Sequence, residues 1–471
     1  MVKGILGGFL LFFLAWNYYM GVRFIRPPIL QNDRNNNNNA LRKYPPHRYY
    51  HLNSIPKHQQ PSFLTTETEY IYGEWPIVLP LRARNANQRQ KRNEHGPFKI
   101  AVDQTSWISR EDVSLPFADG TNPSIISVDR LKGWDALPSL LQQFPQTRFV
   151  ATACMTNSQC AWKDSPSEIQ QYQISTQTQP DTIRTVLLLL DDSFQTLTQA
   201  TIYLERDAAW GRKLRQPSSS LYLPALDDAR LFRHNQQLFV SYREGPGFGY
   251  ETQVLNPIHL QFTTSSQEWS AHIRASETSS FCCGRNMALM RGESEEQLRA
   301  LTWVDPVTII DIDTTPGATN KNKRRKLAAE HKSHIHGTNG FMVEIPSSEE
   351  EEEVTFLGVA HFHRPNDRKE NPYARFGHHY THAFYTVRKD QLVGLSPEFV
   401  LPSKYDEDDG EVIQFLSGLE YDAPRNEVVI AYGINDCEAA VEVVDLQVIL
   451  QFLRPVSDGQ QVVDFMMPLK S

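Results

Sequence analysis

Apolar positions in this chain fall in short runs separated by polar turns. Such runs cover 148–153, 185–190, 201–205, 238–242, 258–262, 299–304, 340–345, 354–361, 381–387, 428–432 and 440–444. Their length and their Val, Ile, Tyr, Phe and Thr content predict β-strands. Helical periodicity is confined to 131–143 and 446–452. The number of strands exceeds an immunoglobulin-like sandwich, and no βαβ alternation occurs. One hairpin pattern is found twice. Residues 226–244 and 418–436 both run from an acidic residue through a short strand and a polar turn into an apolar strand ending in Tyr242 or Tyr432. Recurrence of a hairpin predicts stacked β-meanders. Five four-stranded blades of roughly 40–50 residues would fill the span 97–455 as an all-β, five-bladed propeller. A sandwich-plus-barrel pair is the structural alternative.

The N-terminus reads differently. Residues 4–22 carry no charge, which is long enough to cross a bilayer core as a helix. Lys3 precedes the run, Arg23 and Arg26 follow it, and Trp16, Tyr18 and Tyr19 suit an interfacial belt. A cleaved signal peptide is the rival, but the run is long for one and lacks a clear small-residue cleavage site. The domain expectation is a transmembrane signal-anchor at 1–26, a low-complexity stem and basic loop at 27–96, and the propeller at 97–471. The stem rests on Pro27-Pro28, Pro45-Pro46 and the Asn35–Asn39 run, which cannot bury enough apolar area to offset ordering entropy. This layout predicts a single-pass membrane protein of the Golgi or endoplasmic reticulum with a lumenal C-terminal body. Against a lumenal setting, the only Asn-x-Ser/Thr match, at Asn122, is blocked by Pro123.

Composition narrows the partners. The net charge of −8 argues against nucleic acid, whose phosphates select basic surfaces. The five cysteines, at 154, 160, 282, 283 and 437, include no C-x-x-C spacing. Cys154 and Cys160 flank a turn-like segment and could bridge in an oxidising lumen; free buried thiols are the other reading. A basic insertion at 317–333 and five consecutive glutamates within 347–353 read as solvated loops.

Polar residues recur at turn–strand junctions at the intervals that one site residue per blade would generate. They are Asn122, Asp227 with Asp228 and Arg230, Arg285 with Asn286, Thr338 with Asn339, His361, His363 and Arg364 with Tyr380 and His382, Gln414, and Asn435 with Asp436. Singly, an Asp or Asn before a strand is turn chemistry. As a set they mark the strand ends that face a propeller's central channel. His361 and His363 fall on one strand face, as metal ligands often do; no third ligand follows by spacing, so no metal site is assigned. Trp107, Trp303, Tyr242 and Tyr432 are aromatic candidates for stacking on sugars or for core packing.

The segment Leu226-Asp227-Asp228-Ala229-Arg230-Leu231-Phe232 followed by Leu238–Tyr242 resembles the acidic hairpin of the five-bladed-propeller mannoside phosphorylases. Gln414-Phe415, Gly418-Leu419 and 429–436 resemble the final blade of that family and of related glycosyltransferases. Asn122-Pro123 is similar to a first-blade substrate contact. The likeness spans roughly 115–455. Asp227 stands where the family has Glu, and the 317–333 loop has no counterpart. The resemblance implies glycosyl transfer with inversion at a β-linked, mannose-like sugar. Asp228 then becomes the general acid, or the base on an acceptor hydroxyl in the synthetic direction. Arg230 would orient it or hold an anion, and Arg285, His361, His363, Arg364, His379 and His382 are candidates for anion or sugar binding. No cofactor is expected, with phosphate or a nucleotide-sugar as co-substrate. Two other readings stay open: a glycoside hydrolase or phosphorylase, and a non-catalytic propeller that binds glycans or proteins. In the second hairpin, Glu420 and Asp422 are expected only to shape the turn, and Asn435 and Asp436 to contact sugar.

Overall fold

The computed structural model describes residues 77–79, 98–102, 121–156, 183–205, 226–244, 252–263, 268–282, 286–304, 307–320, 336–337, 340–346, 353–363, 380–402, 413–435 and 438–456. Among them the strands form five sheets, each built mainly by pairing consecutive strands antiparallel. Blade 1 begins with Thr121–Ser127, Phe149–Thr156, Ile183–Leu190 and Thr196–Glu205. Blade 2 contains Asp227–His234, Gln237–Glu244, Thr252–Pro257 and Ser279–Cys282. Blade 3 is Ala288–Arg291, Leu298–Trp303 and Thr308–Ile312. Blade 4 centres on Val343–Ile345, Thr355–His363, Tyr380–Arg388 and Gln391–Leu395. Blade 5 is Gln414–Asp422, Glu427–Ile434 and Glu438–Asp445, and Phe98–Lys99 adds its outer strand. A segment that precedes blade 1 thus completes the last sheet.

Five apolar clusters close the ring, one for each pair of neighbouring blades. Leu187, Ile202, Leu231 and Val240 join blades 1 and 2, and Phe232, Phe281, Leu289 and Leu298 join blades 2 and 3. Met290, Leu301, Met342 and Tyr385 join 3 and 4, and Leu357, Phe384, Leu416 and Ile430 join 4 and 5. Phe149, Leu188, Val429 and Val441 bring blade 5 back against blade 1. Side chains alternate between the two faces of each strand, so every sheet buries one face on each neighbour. Central strands such as Glu427–Ile434 are consequently buried along their whole length and read as nearly continuous apolar runs.

Each predicted strand falls inside an observed one to within a residue, except 340–345, of which only Val343–Ile345 is strand. The helix at 446–452 is present as Leu446–Phe452, capped by Asp445 accepting from the Gln447 amide. The helix expected over 131–143 is shorter. A 3-10 turn, Val128–Leu131, is separated from the helix Leu137–Gln143 by Gly133 at φ +93°, a conformation that ends a right-handed helix. The folded body also starts before residue 97. Ile77–Val78 pairs with Phe399–Val400 of the blade 4 sheet, and Leu79 is fully buried there. A hairpin, His259–Thr263 with Glu268–Arg274, leaves blade 2 and lies parallel on the outer strand of blade 1. Among the described residues no helix is long and apolar enough to cross a membrane. The span expected at 4–22 and the stem at 27–66 lie outside the described residues.

Polar groups stitch the apolar interfaces. Gln414 is fully buried; its side-chain carbonyl accepts from the Leu401 amide at 2.9 Å and its amide donates to the Leu401 carbonyl at 2.8 Å. His382, also fully buried, accepts from the Leu416 amide at 3.3 Å. Glu420 and Asp422 do more than shape a turn. Asp422 accepts from Arg148 of blade 1 at 2.7 Å and from Arg425 at 2.9 Å. Glu420, 1% exposed, accepts from Ser127 at 3.1 Å and from Arg130 at 3.2 Å, both of blade 1.

Burial pushes the Glu420 carboxyl up to about 7 from an ordinary 4.5, with Arg130 and Ser127 pulling it back. The native state therefore binds this proton more tightly than the unfolded chain. The corresponding stability is full below about pH 4.5 and is lost as pH rises through about 7. In urea denaturation, wild type should lose up to about 3 kcal/mol relative to Glu420→Gln between those limits. Parallel stability–pH curves for the two proteins would contradict this.

Candidate functional site

The first strand of each of blades 1 and 2 opens with the same backbone device. Asn122 and Asp228 adopt left-handed φ values of +47° and +54°, and each lies in a register irregularity against the next strand, between Thr121 and Ser124 and between Asp227 and Arg230. Asn286, at +56°, precedes the first strand of blade 3. Asn and Asp tolerate this region because their short polar side chains bond locally. The extra residue of the bulge re-aims the side chain. Three blades thereby present a polar group at the same end of the ring.

The Asp228 carboxylate joins two of them. Its Oδ1 accepts from Asn122 Nδ2 at 3.3 Å and from Arg230 Nη2 at 3.5 Å, while Arg243 Nε stands 4.0 Å from Oδ2. Arg243 also pairs with Asp227. Arg230 is buried, and its Nη1 donates to the carbonyls of Asn122 at 3.2 Å and Ala229 at 3.1 Å. It thus ties the openings of blades 1 and 2 together. The side chains of Asp228, Arg243 and Asp227 are 16%, 18% and 33% exposed, so the acidic pair remains open to a ligand.

The backbone on both sides of Asp228 is held from blade 1. Thr185 Oγ1 donates to the Leu226 carbonyl at 3.1 Å, Thr152 Oγ1 to the Ala229 carbonyl at 3.4 Å, and Ser124 Oγ accepts from the Leu231 amide at 2.9 Å. Cys154 is a buried free thiol that donates to the Leu226 carbonyl at 3.5 Å, and desolvation pushes its pKa up. Cys160, its partner in the bridged reading, lies outside the described residues. Two glycines let the neighbouring chains come this close. A Cβ on Gly340 would lie 2.1 Å from Arg230 Cβ, and one on Gly433 would lie 2.8 Å from Asn122 Oδ1.

Antiparallel register places the remaining described candidates at the same ends of their sheets. His361 pairs with His382 and His363 with Tyr380 across blade 4. His361 is buried in an edge-to-face cluster with Tyr380 and Phe415, at centroid distances of 5.6 and 5.3 Å. Gln414 and His382 serve the blade 4–5 interface and do not line an open site. Asn435, at φ +51°, accepts from the Ile413 amide at 3.0 Å and donates its own backbone amide to the Ile413 carbonyl at 2.8 Å, which ties it to the segment leading into the first strand of blade 5. Tyr242 and Tyr432 are buried core residues, with the Tyr242 hydroxyl donating to Asn256 at 3.2 Å. Arg285, Thr338, Asn339, Arg364, His379, Asp436 and Trp107 lie outside the described residues, and of His363 only the backbone is described. The site gathered among the described residues is therefore Asn122, Asp227, Asp228, Arg230 and Arg243. No group of three His, Cys, Asp or Glu side chains converges as a metal centre among the described residues.

Arg243 is absent from the sequence expectation, although the hairpin carried a signal for it. Asn235 and Gln236 both have positive φ and form a two-residue turn, with His234 paired to Gln237. Counting back two by two from that turn brings residue 243 opposite 228, and the bulge moves it opposite Asp227.

No protein-family model and no curated protein matches the chain. Solved structures do resemble it. A member of the GH130 family of mannoside phosphorylases, which contains glycoside hydrolases that target β-1,2 mannosidic linkages in Candida mannan, is 11% identical with a TM-score of 0.42, covering 81% of this chain and 97% of its own. A GDP-Man-dependent mannosyltransferase from Leishmania mexicana is 9% identical with a TM-score of 0.38, covering 76% and 92%. A β-1,2-mannobiose phosphorylase from Listeria innocua is 10% identical with a TM-score of 0.39, covering 77% and 98%.

Proposed function

We propose that this chain is a carbohydrate-active propeller enzyme that transfers a β-linked, mannose-like sugar with inversion, using Asp228 as its general acid or base. The observation that carries this reading is the partly exposed carboxylate of Asp228, fixed from two blades by Asn122 and Arg230 at the opening of the inner strands. A general acid–base group must be positioned before it is useful, and here three side chains, Asn122, Arg230 and Arg243, and three backbone anchors serve that placement. In synthesis, Asp228 takes the proton of the acceptor hydroxyl as that oxygen attacks the anomeric carbon. The donor leaving group departs from the opposite face with the bonding pair. In phosphorolysis the proton runs the other way, to the glycosidic oxygen.

An anionic leaving group needs cations. Arg243 is the described candidate and would exchange its Asp227 partner for the anion, with Arg285 and Arg364 as further candidates. An inverting hydrolase would instead need a second carboxylate about 6.5–9.5 Å away, free to activate water. Asp227, the carboxylate beside Asp228, is engaged by Arg243, which favours transfer over hydrolysis. The N-terminal anchor and stem expected from the sequence would tether this body on the lumenal side of a membrane. The test is a donor screen on the full chain, comparing sugar 1-phosphates, nucleotide-sugars and unactivated glycosides. Glycosidic product from an activated donor is expected. Sugar release into water from an unactivated glycoside alone would replace transferase by hydrolase.

A further inference from the structure

The inner strands that open at Asp228 bring a different set of side chains together where they end. Arg130 lies in the turn after Thr121–Ser127, Arg233 nears the end of Asp227–His234, Arg291 ends Ala288–Arg291, Glu344 lies in Val343–Ile345, and Tyr421 nears the end of Gln414–Asp422. All five blades thus line one cavity of about 270 Å³. Five residues of extended strand separate Asp228 from Arg233, roughly 17 Å. The cavity is therefore a second mouth of the ring, distinct from the acidic pair.

Its chemistry is selective. Arg291 grips Glu344 with two parallel hydrogen bonds, at 2.7 and 2.8 Å, and Arg233 donates to Glu295 at 3.3 Å. Arg130 lies 5.3 Å over the Phe341 ring and holds Glu420 at 3.2 Å. Arg291 and Arg233 each already have a carboxylate, while the partner of Arg130 is Glu420, whose carboxyl burial pushes up to about 7. An anion arriving at Arg291 would have to displace a bidentate carboxylate, and a cation arriving at Glu344 would have to displace a guanidinium. A ring of hydroxyls needs neither exchange. Each hydroxyl can donate to a carboxylate lone pair and accept from a remaining guanidinium N–H. His234, whose pKa burial lowers, and Gln297 add further polar groups, and the half-buried Tyr421 ring offers a flat apolar face. The volume falls just below the roughly 300–1,000 Å³ of drug-sized ligand pockets, which suits one ring.

We propose that this second mouth binds one neutral sugar residue, held by the Arg291–Glu344 and Arg233–Glu295 pairs. The site stands independently of the reaction at Asp228. The experiment is phenylglyoxal labelling of Arg233 and Arg291 in the full chain, read by mass spectrometry, for wild type and Asp228→Asn. Probes are methyl hexopyranosides, a short oligosaccharide and inorganic phosphate. The expected result is at least fivefold slower labelling of both arginines with a sugar probe, equally in the two proteins, and no slowing with phosphate. Stronger protection by the methyl glycoside identifies a free monosaccharide as ligand, and stronger protection by the oligosaccharide identifies a glycan terminus. Glu344→Ala should weaken the protection at least fivefold. Protection by phosphate, unchanged labelling with every sugar, or full protection in Glu344→Ala would overturn the proposal. The wild-type labelling decides it even if the variant fails to fold.

Discussion

Asp228→Asn is expected to cut glycosyl transfer by roughly 10²–10⁴-fold, the usual worth of a positioned general acid or base. Asn keeps the shape and can still accept from Asn122 and Arg230, so the openings of blades 1 and 2 stay joined. What it removes is the proton transfer. Glycan binding, measured by calorimetry or ligand-observed NMR, should remain nearly intact and the urea midpoint should hardly move. This outcome separates the two broad classes the chain admits. A non-catalytic propeller would show no turnover to lose, and a catalytic one with its acid elsewhere would keep its rate in this variant.

The second large effect is expected from Gly340→Ala. The new Cβ would meet Arg230 Cβ at 2.1 Å and Cγ at 2.4 Å, well inside any tolerated contact. Neither side can easily give. The Arg230 strand is pinned by Ser124 bonding to the Leu231 amide, and the chain at Gly340 by the Leu289 amide donating to the Gly340 carbonyl at 3.0 Å. Overpacking of this kind costs about 1–3 kcal/mol, readable as a lower urea midpoint. The displacement also reaches Asp228 through Arg230, so turnover should fall about 100-fold if the carboxylate moves by an ångström. Gly358→Ala is the control. Its Cβ would strike the Tyr385 ring, 2.4 Å away inside blade 4, so it should lower stability while leaving turnover per folded molecule unchanged. Equal turnover in both variants would separate Gly340 from the site.

Much of the architecture was legible because it rests on alternation. Runs such as 428–432 and 440–444 are strands in the structure, and the twice-seen hairpin pattern marks blades 2 and 5. The acidic pair and Asn122 were also legible, as polar residues opening strands. Their mutual contact was not. It depends on two bulges and two left-handed residues that bring positions 106 apart in sequence within 3.3 Å. Arg243 was hidden because its partner is set by hairpin register. Gln414 and His382 have the residue types of a sugar site, yet Gln414 spends its side-chain amide on the Leu401 backbone and His382 uses Nε2 to accept from the Leu416 amide. Sequence type cannot separate these two uses, since a buried amide or imidazole needs a partner whether it meets a ligand or a main chain. Glu420 misled in the opposite direction. Its position before a turn suggested local bonding, while its partners, Ser127 and Arg130, come from the first blade. Likewise Ile77–Val78 is too short to register as a strand, and only its pairing with Phe399–Val400 reveals it.

An Asp228 that serves an inverting transfer at the opening of the inner strands fixes the anomer of the product. Proton NMR of the anomeric signal in the first product formed by wild type tests it most directly. An anomer opposite to that of the activated donor, absent with Asp228→Asn, is the predicted result. A product that retains the donor's configuration, or one formed equally well by Asp228→Asn, would contradict it.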